Sequence, residues 1–184
     1  MKILPGIPKI MQSVEKRGLF EYCLECEKHL LNDNVHYIIE KAFTDKEVIF
    51  ELAMCSECYM SYYESLSLIS RGKLEEHFAE NIGDLGRISV IERYGYDFEK
   101  WTENCIVKDI QENETEFRQV CVHCLGENLV YDIMPFMLSD AALEDLYPLL
   151  SKQTKDEIER FKDRFFGFPP ELAIDIDKRE FVFV

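Results

Sequence analysis

The apolar positions of residues 35–52 fall into two dense runs of the kind found in a β-hairpin. Residues 35–43 (VHYIIEKAF) and 47–52 (EVIFEL) are rich in β-branched and aromatic side chains, which favour strands. The polar residues Thr44, Asp45 and Lys46 separate the two runs and predict a turn. The pattern therefore predicts two antiparallel strands joined by a short connection.

A helical period replaces this pattern after Cys55. The apolar side chains then recur every three or four positions, which predicts an amphipathic helix; they are Tyr59, Tyr62, Tyr63, Leu66 and Ile69. Two more helices are predicted over residues 73–81 and 85–93, with Gly72 and Gly83 as breaks or caps. Residues 94–115 begin aromatic and end acidic, so we place a soft boundary there.

The second half of the chain starts with another predicted hairpin. Residues 116–122 form a strand that returns through residues 128–133, with Gly126 between them. Two helices follow: Ser139 caps the first, and Thr154 with Glu157 forms a capping box for the second. Residues 179–184 (REFVFV) predict a terminal strand.

These elements define an α+β fold. We expect an N-terminal module with a helical extension over residues 1–93 and a hairpin-plus-helices unit over residues 94–184, packed as one body. The length of 184 residues is sufficient for a substantial core. The predicted order is a knuckle, a β-hairpin and a helix, then helices, a second hairpin, two helices and a terminal strand.

Two Cys-x-x-Cys pairs flank the first hairpin. Cys23 and Cys26 precede it, and Cys55 and Cys58 follow it in the predicted first turn of the helix. Four soft thiolate ligands in two chelating pairs match a structural zinc site. The spacing therefore predicts one Zn²⁺ per chain, held by all four cysteines. The competing interpretation, two unrelated pairs of buried cysteines, requires the matched spacing to be a coincidence.

A knuckle with two ligands, a hairpin and a helix with two more resembles the treble-clef zinc fingers. The resemblance covers residues 20–70 and rests on CLEC at 23–26 and CSEC at 55–58. It implies bound zinc but no particular task, because proteins of this architecture bind nucleic acids, bind proteins or act as scaffolds.

A third pair, Cys121 and Cys124, is predicted at the tip of the second hairpin. With only Cys105 left to join them, we do not expect a second four-cysteine site. Two interpretations remain open for this pair. It is either a remnant zinc knuckle shaped by its turn and Gly126, or a dithiol tuned by the neighbouring His123.

Charge and composition narrow the classes of function. The net charge is −15, and acidic residues outnumber basic ones in both halves, so we do not expect nucleic acid as the main partner. No secretory signal or membrane span is apparent, which places the chain in the cytoplasm as the default, where thiols stay reduced.

Familiar catalytic and phosphate-binding motifs are absent from the sequence. The hypothesis is therefore a non-catalytic zinc-binding protein with a protein-interaction or regulatory role and an unknown protein partner. The alternatives are a thiol/redox enzyme that uses Cys121 and Cys124, and a zinc-finger nucleic-acid binder. Of the four histidines, only His123 has suggestive neighbours in the sequence.

Overall fold

The computed structural model describes residues 4–82 and 91–166 and has an α+β fold. The predicted strand at 179–184 and most of the predicted helix at 85–93 lie outside the described residues. Within the described ranges, no helix combines the length and apolar character needed to cross a lipid bilayer.

The first predicted hairpin is confirmed. Strand β1 (His36–Thr44) pairs antiparallel with β2 (Val48–Cys55), and the register aligns Tyr37 with Cys55. The Thr44 hydroxyl accepts hydrogen bonds from the backbone N–H groups of Lys46 and Glu47, which stabilises the turn. The hairpin thus ends with Cys55 at the far end of β2.

Strand β3 (Phe117–Leu125) lies beside β1 and pairs with it antiparallel over nine positions. Two short strands, β4 (Asn128–Val130) and β5 (Phe136–Ser139), pair with the other edge of β3. The strand order is therefore β2-β1-β3, followed by β4 and β5 at different positions along β3. The second hairpin, β3–β4, is confirmed, whereas β5 was not predicted. One sheet therefore combines strands from both sides of the expected boundary at residue 93, and that division stays a prediction.

Both faces of the sheet are covered. On one face, Phe78 packs near Phe136 and Phe166 near Phe50, with ring centroids 6.5 and 5.8 Å apart. On the other face, the N-terminal segment approaches the sheet, and the buried Lys41 ammonium donates to the carbonyl of Gln12 (2.7 Å). Burial on both faces explains why consecutive side chains from Tyr37 to Phe43 in β1 are all buried.

The helices after the first hairpin divide at a different place from the predicted one. Helix α1 (Ser56–Ser65) ends before Leu66, and α2 (Leu68–Ile82) begins directly after Ser67. The Ser67 hydroxyl accepts from the N–H of Ser70 (3.1 Å), as an N-cap does. Gly72 lies inside α2 and breaks nothing, and Ile69 is 66% exposed, so it does not belong to the buried stripe of α1.

The later helices are α3 (Phe98–Thr102), α4 (Asp140–Leu146) and α5 (Lys152–Phe165). The predicted cap Ser139 is confirmed, since its hydroxyl accepts from the N–H of Ala142 (3.3 Å). The predicted capping box at Thr154 is wrong. Helix α5 starts three residues earlier, where Ser151 accepts from the N–H of Thr154 (3.3 Å), and the Thr154 side chain is buried.

Candidate metal centre

The four cysteines of the two Cys-x-x-Cys pairs come together in the folded chain. Their sulfur atoms all lie within 4.8 Å of one another, and those of Cys26 and Cys55 are 3.7 Å apart. The cluster joins Cys23 and Cys26 to Cys55 and Cys58 across the whole first hairpin. The predicted set of candidate ligands is therefore a spatial cluster.

A tight turn presents the first pair. Tyr22 and His29 form an antiparallel bridge at its base, and the N–H of Cys23 donates to the carbonyl of Lys28 (2.9 Å). Glu27 adopts a left-handed conformation, with φ of 57°, and its N–H donates to the carbonyl of Cys23 (3.0 Å). This reversal brings the Cys23 and Cys26 side chains to one side of the turn.

Two further hydrogen bonds attach that turn to the hairpin. The N–H of Leu24 donates to the carbonyl of Ala53 in β2 (2.9 Å). The N–H of Cys55 donates to the sulfur of Cys23 (3.3 Å). Backbone N–H groups that point at sulfur stabilise thiolate character, so the fold already provides a hydrogen bond to the sulfur of one candidate ligand.

The second pair lies where strand changes to helix. Cys55 is the last residue of β2 and the N-cap position of α1, and Cys58 lies in the first helical turn. The positive end of the helix dipole lies beside both thiols and favours their anionic forms. The expected placement in the first turn therefore holds for Cys58, while Cys55 precedes the turn.

Burial differs within the cluster. Cys23 and Cys55 are buried, Cys58 is half-buried and Cys26 is exposed. Desolvation raises the pKa of Cys55 to about 11 and raises the pKa of Cys58 further. For Cys26, burial also raises the pKa, but hydrogen bonds from the Lys28 N–H and the neighbouring thiols outweigh it, so the pKa is lowered. Metal binding must then displace protons from the cluster.

An ion pair beside the thiols was not identified from the sequence. The Lys28 ammonium lies 2.9 Å from a carboxylate oxygen of Glu57, and a hydrogen bond from Lys28 lowers the pKa of Glu57 to about 2. Lys28 follows Cys26 by two residues and Glu57 precedes Cys58 by one. The positions of Lys28 and Glu57 next to the cysteine pairs were the only sign of this ion pair in the sequence. Their contact with each other is a result of the fold.

The donor set fits zinc. Thiolates about 2.3 Å from a tetrahedral Zn²⁺ lie about 3.8 Å from each other, and the Cys26–Cys55 separation of 3.7 Å already matches that spacing. The remaining sulfur atoms, within 4.8 Å, need only small side-chain rotations. Because thiolates are soft ligands, the cluster suits zinc better than magnesium or calcium.

The third cysteine pair is placed differently from the expectation. Cys121 and Cys124 lie inside β3 rather than at the hairpin tip, which Gly126 and Glu127 form. Residues three apart on a strand point to opposite faces, and both thiols are fully buried. Burial raises the pKa of each thiol. The remnant-knuckle interpretation is therefore wrong, and the pair lacks the geometry of a dithiol.

Comparison of the chain with models of protein families, with curated proteins and with solved structures finds no match. The site must therefore be interpreted from its own geometry.

Proposed function

We propose that this chain is a non-catalytic zinc-binding protein in which one Zn²⁺ at Cys23, Cys26, Cys55 and Cys58 holds the N-terminal module together. The observation that carries the proposal is the convergence of four thiol sulfurs within 4.8 Å. The ion would join the turn at 23–26, the end of β2 and the start of α1, as in a treble-clef finger. Its binding free energy would then contribute directly to folding.

A structural role follows from the number of protein ligands. Four thiolates complete a tetrahedron and leave no coordination position for a substrate or an activated water. Four negative ligands around one divalent cation leave the centre at −2. The hydrogen bond to Glu57 raises the pKa of Lys28 most, and the nearby Cys55 and Cys26 raise it further, so the Lys28 ammonium offsets part of that charge. These features favour a stabilising ion over a Lewis-acid catalyst.

The first test is the metal content of the protein and of a Cys55→Ser variant. The wild type should contain one zinc per chain by elemental analysis. Cys55→Ser should lose that zinc and melt at a lower temperature, because the remaining three thiols bind less tightly and Cys55 also anchors Cys23 through its N–H.

Cys124→Ala provides the matched control, since it removes an equally buried thiol outside the cluster. It should retain one zinc even if its melting temperature falls through loss of packing. A Cys55→Ser protein that is metal-free and melts like the wild type would contradict the proposal.

The task we propose for this module is binding a protein partner. Leu68 and Ile69 are 77% and 66% exposed at the start of α2, and adjacent exposed aliphatic side chains favour protein contacts over contacts with solvent. The acidic charge opposes a nucleic-acid role. The placement of Cys121 and Cys124 on opposite faces of β3 opposes a dithiol enzyme.

Affinity capture from the native lysate tests this task. Zinc-loaded wild type should retain a specific protein, and a Leu68→Ser/Ile69→Ser variant should lose it while keeping its zinc. Val14→Ser, which alters another exposed aliphatic residue, should retain the partner. Capture of nucleic acid in place of protein, with loss of binding at raised salt, would contradict the assignment.

A further inference from the structure

Two histidines and an aspartate form a second polar cluster on the sheet. His36 Nδ1 lies 2.9 Å from His123 Nε2, and His123 Nδ1 lies 2.6 Å from a carboxylate oxygen of Asp132. The strand register aligns His36 with Leu125, two residues beyond His123, so both histidines are on the same face of neighbouring strands. His36 and Asp132 are exposed, and the His123 side chain is 18% exposed.

Asp132 orients the His123 ring. Its Oδ1 accepts from the N–H of Met134 (2.9 Å), and its N–H donates to the carbonyl of Met134 (3.0 Å), so the carboxylate is held in place. A carboxylate oxygen accepts hydrogen bonds, so the 2.6 Å contact places His123 Nδ1 where its N–H donates to Asp132.

The Nε2 atom of His123 faces Nδ1 of His36, and the tautomers of the two rings decide which nitrogen donates in this contact. In one arrangement of two neutral rings, His36 donates its Nδ1 proton to a lone pair on His123 Nε2. If His36 moves this proton to its own Nε2, both facing nitrogens become ligands without any net change in charge. A cation can then take the place of the hydrogen bond between the two rings.

We propose that His36 and His123 bind a divalent transition-metal ion, with Asp132 as the positioning residue. A histidine that ligates a metal commonly donates its other ring N–H to a carboxylate, which is the role Asp132 already has. The ligating nitrogens of two imidazoles on a tetrahedral ion lie about 3.3 Å apart. The two nitrogens, now 2.9 Å apart, would move about 0.4 Å further apart, and both rings would turn to direct their lone pairs at the ion.

The ligand type sets the class of metal. Imidazole nitrogens suit zinc, nickel and copper, whereas magnesium and calcium prefer oxygen. Water would fill the other coordination positions, so the ion should bind more weakly than at the four cysteines and remain exchangeable. The net charge of −15 favours cation binding at an exposed site.

The test uses the full chain with its cysteine cluster saturated by zinc. Titration with Zn²⁺ alone in a calorimeter should reveal a second ion per chain. His36→Ala and His123→Ala should each abolish this second binding event, and Asp132→Asn should weaken it by about 10- to 100-fold. His77→Ala, which removes a histidine in α2, should bind the second ion as the wild type does.

A measurement on the unaltered protein guards against variants that fold poorly. Ni²⁺ added to zinc-saturated wild type should selectively broaden the NMR signals of the His36 and His123 rings, while the His77 ring stays sharp. Absence of a second ion in the wild type, or an unaltered second ion in both histidine variants, would overturn the proposal. The calorimetric and NMR measurements are both independent of the zinc content of the cysteine cluster. A negative result in either would therefore not contradict the proposed zinc site at the four cysteines.

Discussion

Glu40 shows how a single residue can set the pH response of the core. It lies at the middle of β1 opposite Cys121 in β3 and is fully buried. Gln119 donates a hydrogen bond to its carboxyl group, and Tyr59 and Tyr62 face the same region. No cation is among the groups that shift its pKa, so burial dominates and raises the pKa of Glu40 to about 8.

The raised pKa predicts that Glu40 lowers stability as pH rises. In the unfolded chain the carboxyl ionises near pH 4.5, whereas in the folded protein it keeps its proton up to about pH 8. Between these values the folded state binds more protons than the unfolded state, so the free energy of unfolding falls with increasing pH. The loss should be on the order of a few kcal/mol, measured by urea denaturation from pH 4.5 to 8.5.

Glu40→Gln should remove this part of the pH dependence, because the amide cannot ionise. The decrease in the free energy of unfolding with pH should persist in Glu51→Gln, because the carboxylate that this substitution removes has a lowered pKa instead of a raised one. For Glu51, burial raises the pKa, but hydrogen bonds from Val14, Ser13 and Lys41 outweigh it and lower the pKa. Equal pH profiles for the wild type and Glu40→Gln would show that Glu40 is already ionised in the folded protein.

At the scale of the elements, two helix starts stabilise each other. The hydroxyls of Ser67 before α2 and Ser151 before α5 are 2.8 Å apart. The N–H of Ser67 donates to the Thr154 hydroxyl (3.0 Å), and the N–H of Ser151 donates to the Ser70 hydroxyl (2.8 Å). Each helix therefore supplies partners for unpaired N–H groups at the start of the other.

This reciprocal arrangement predicts that Ser67→Ala destabilises the protein by about 2 kcal/mol in thermal or urea unfolding, at the upper end of the range for a helix cap. Ser65→Ala removes an exposed hydroxyl two residues away and should cost less than about 0.5 kcal/mol. A double-mutant cycle between Ser67→Ala and Ser151→Ala should give a coupling energy of at least about 0.5 kcal/mol. Strict additivity would mean that the two caps act independently.

The same helices show where sequence reasoning succeeds and fails. The first hairpin and the Ser139 cap depend on neighbouring residues, so local patterns predict them. Ser67 and Ser151 act through contacts 84 residues apart in sequence, and no local pattern indicates that Thr154 faces inward instead of capping. The four-residue strand β5 was not predicted for a similar reason. It is too short to show a clear sequence pattern, and its pairing with β3 is a tertiary contact.

The cysteine cluster and the histidine cluster also differ in how far the sequence predicts them. Four cysteines in matched pairs carry their own spacing signal, so their convergence could be predicted. His36 and His123 are 87 residues apart, and nothing in the spacing of either indicates the other. Cys121 and Cys124 show the opposite error: their spacing imitates a knuckle, while the surrounding apolar residues place them inside a buried strand.

For the whole molecule, the central pairing of β1 with β3 connects the candidate zinc centre to the second half. Nine register positions join the two strands, and Arg164 of α5 reaches Glu25 in the cysteine turn at 2.8 Å. The single tryptophan, Trp101, lies in the second half and is 3% exposed, with its indole N–H donating to the carbonyl of Gly95 (3.0 Å). Zinc bound at the candidate centre would therefore report on the first half, and Trp101 reports on the second.

These connections predict a single cooperative unfolding transition. During urea denaturation of the zinc-loaded protein, zinc release to a colorimetric indicator and the change in Trp101 fluorescence should share one midpoint, because neither half can keep its sheet once β1 separates from β3. Ile39→Ala, which removes a fully buried side chain from β1, should lower both midpoints together by an amount equivalent to about 2–5 kcal/mol. Zinc release at clearly lower urea than the fluorescence change would instead show that residues 1–93 unfold as a separate module.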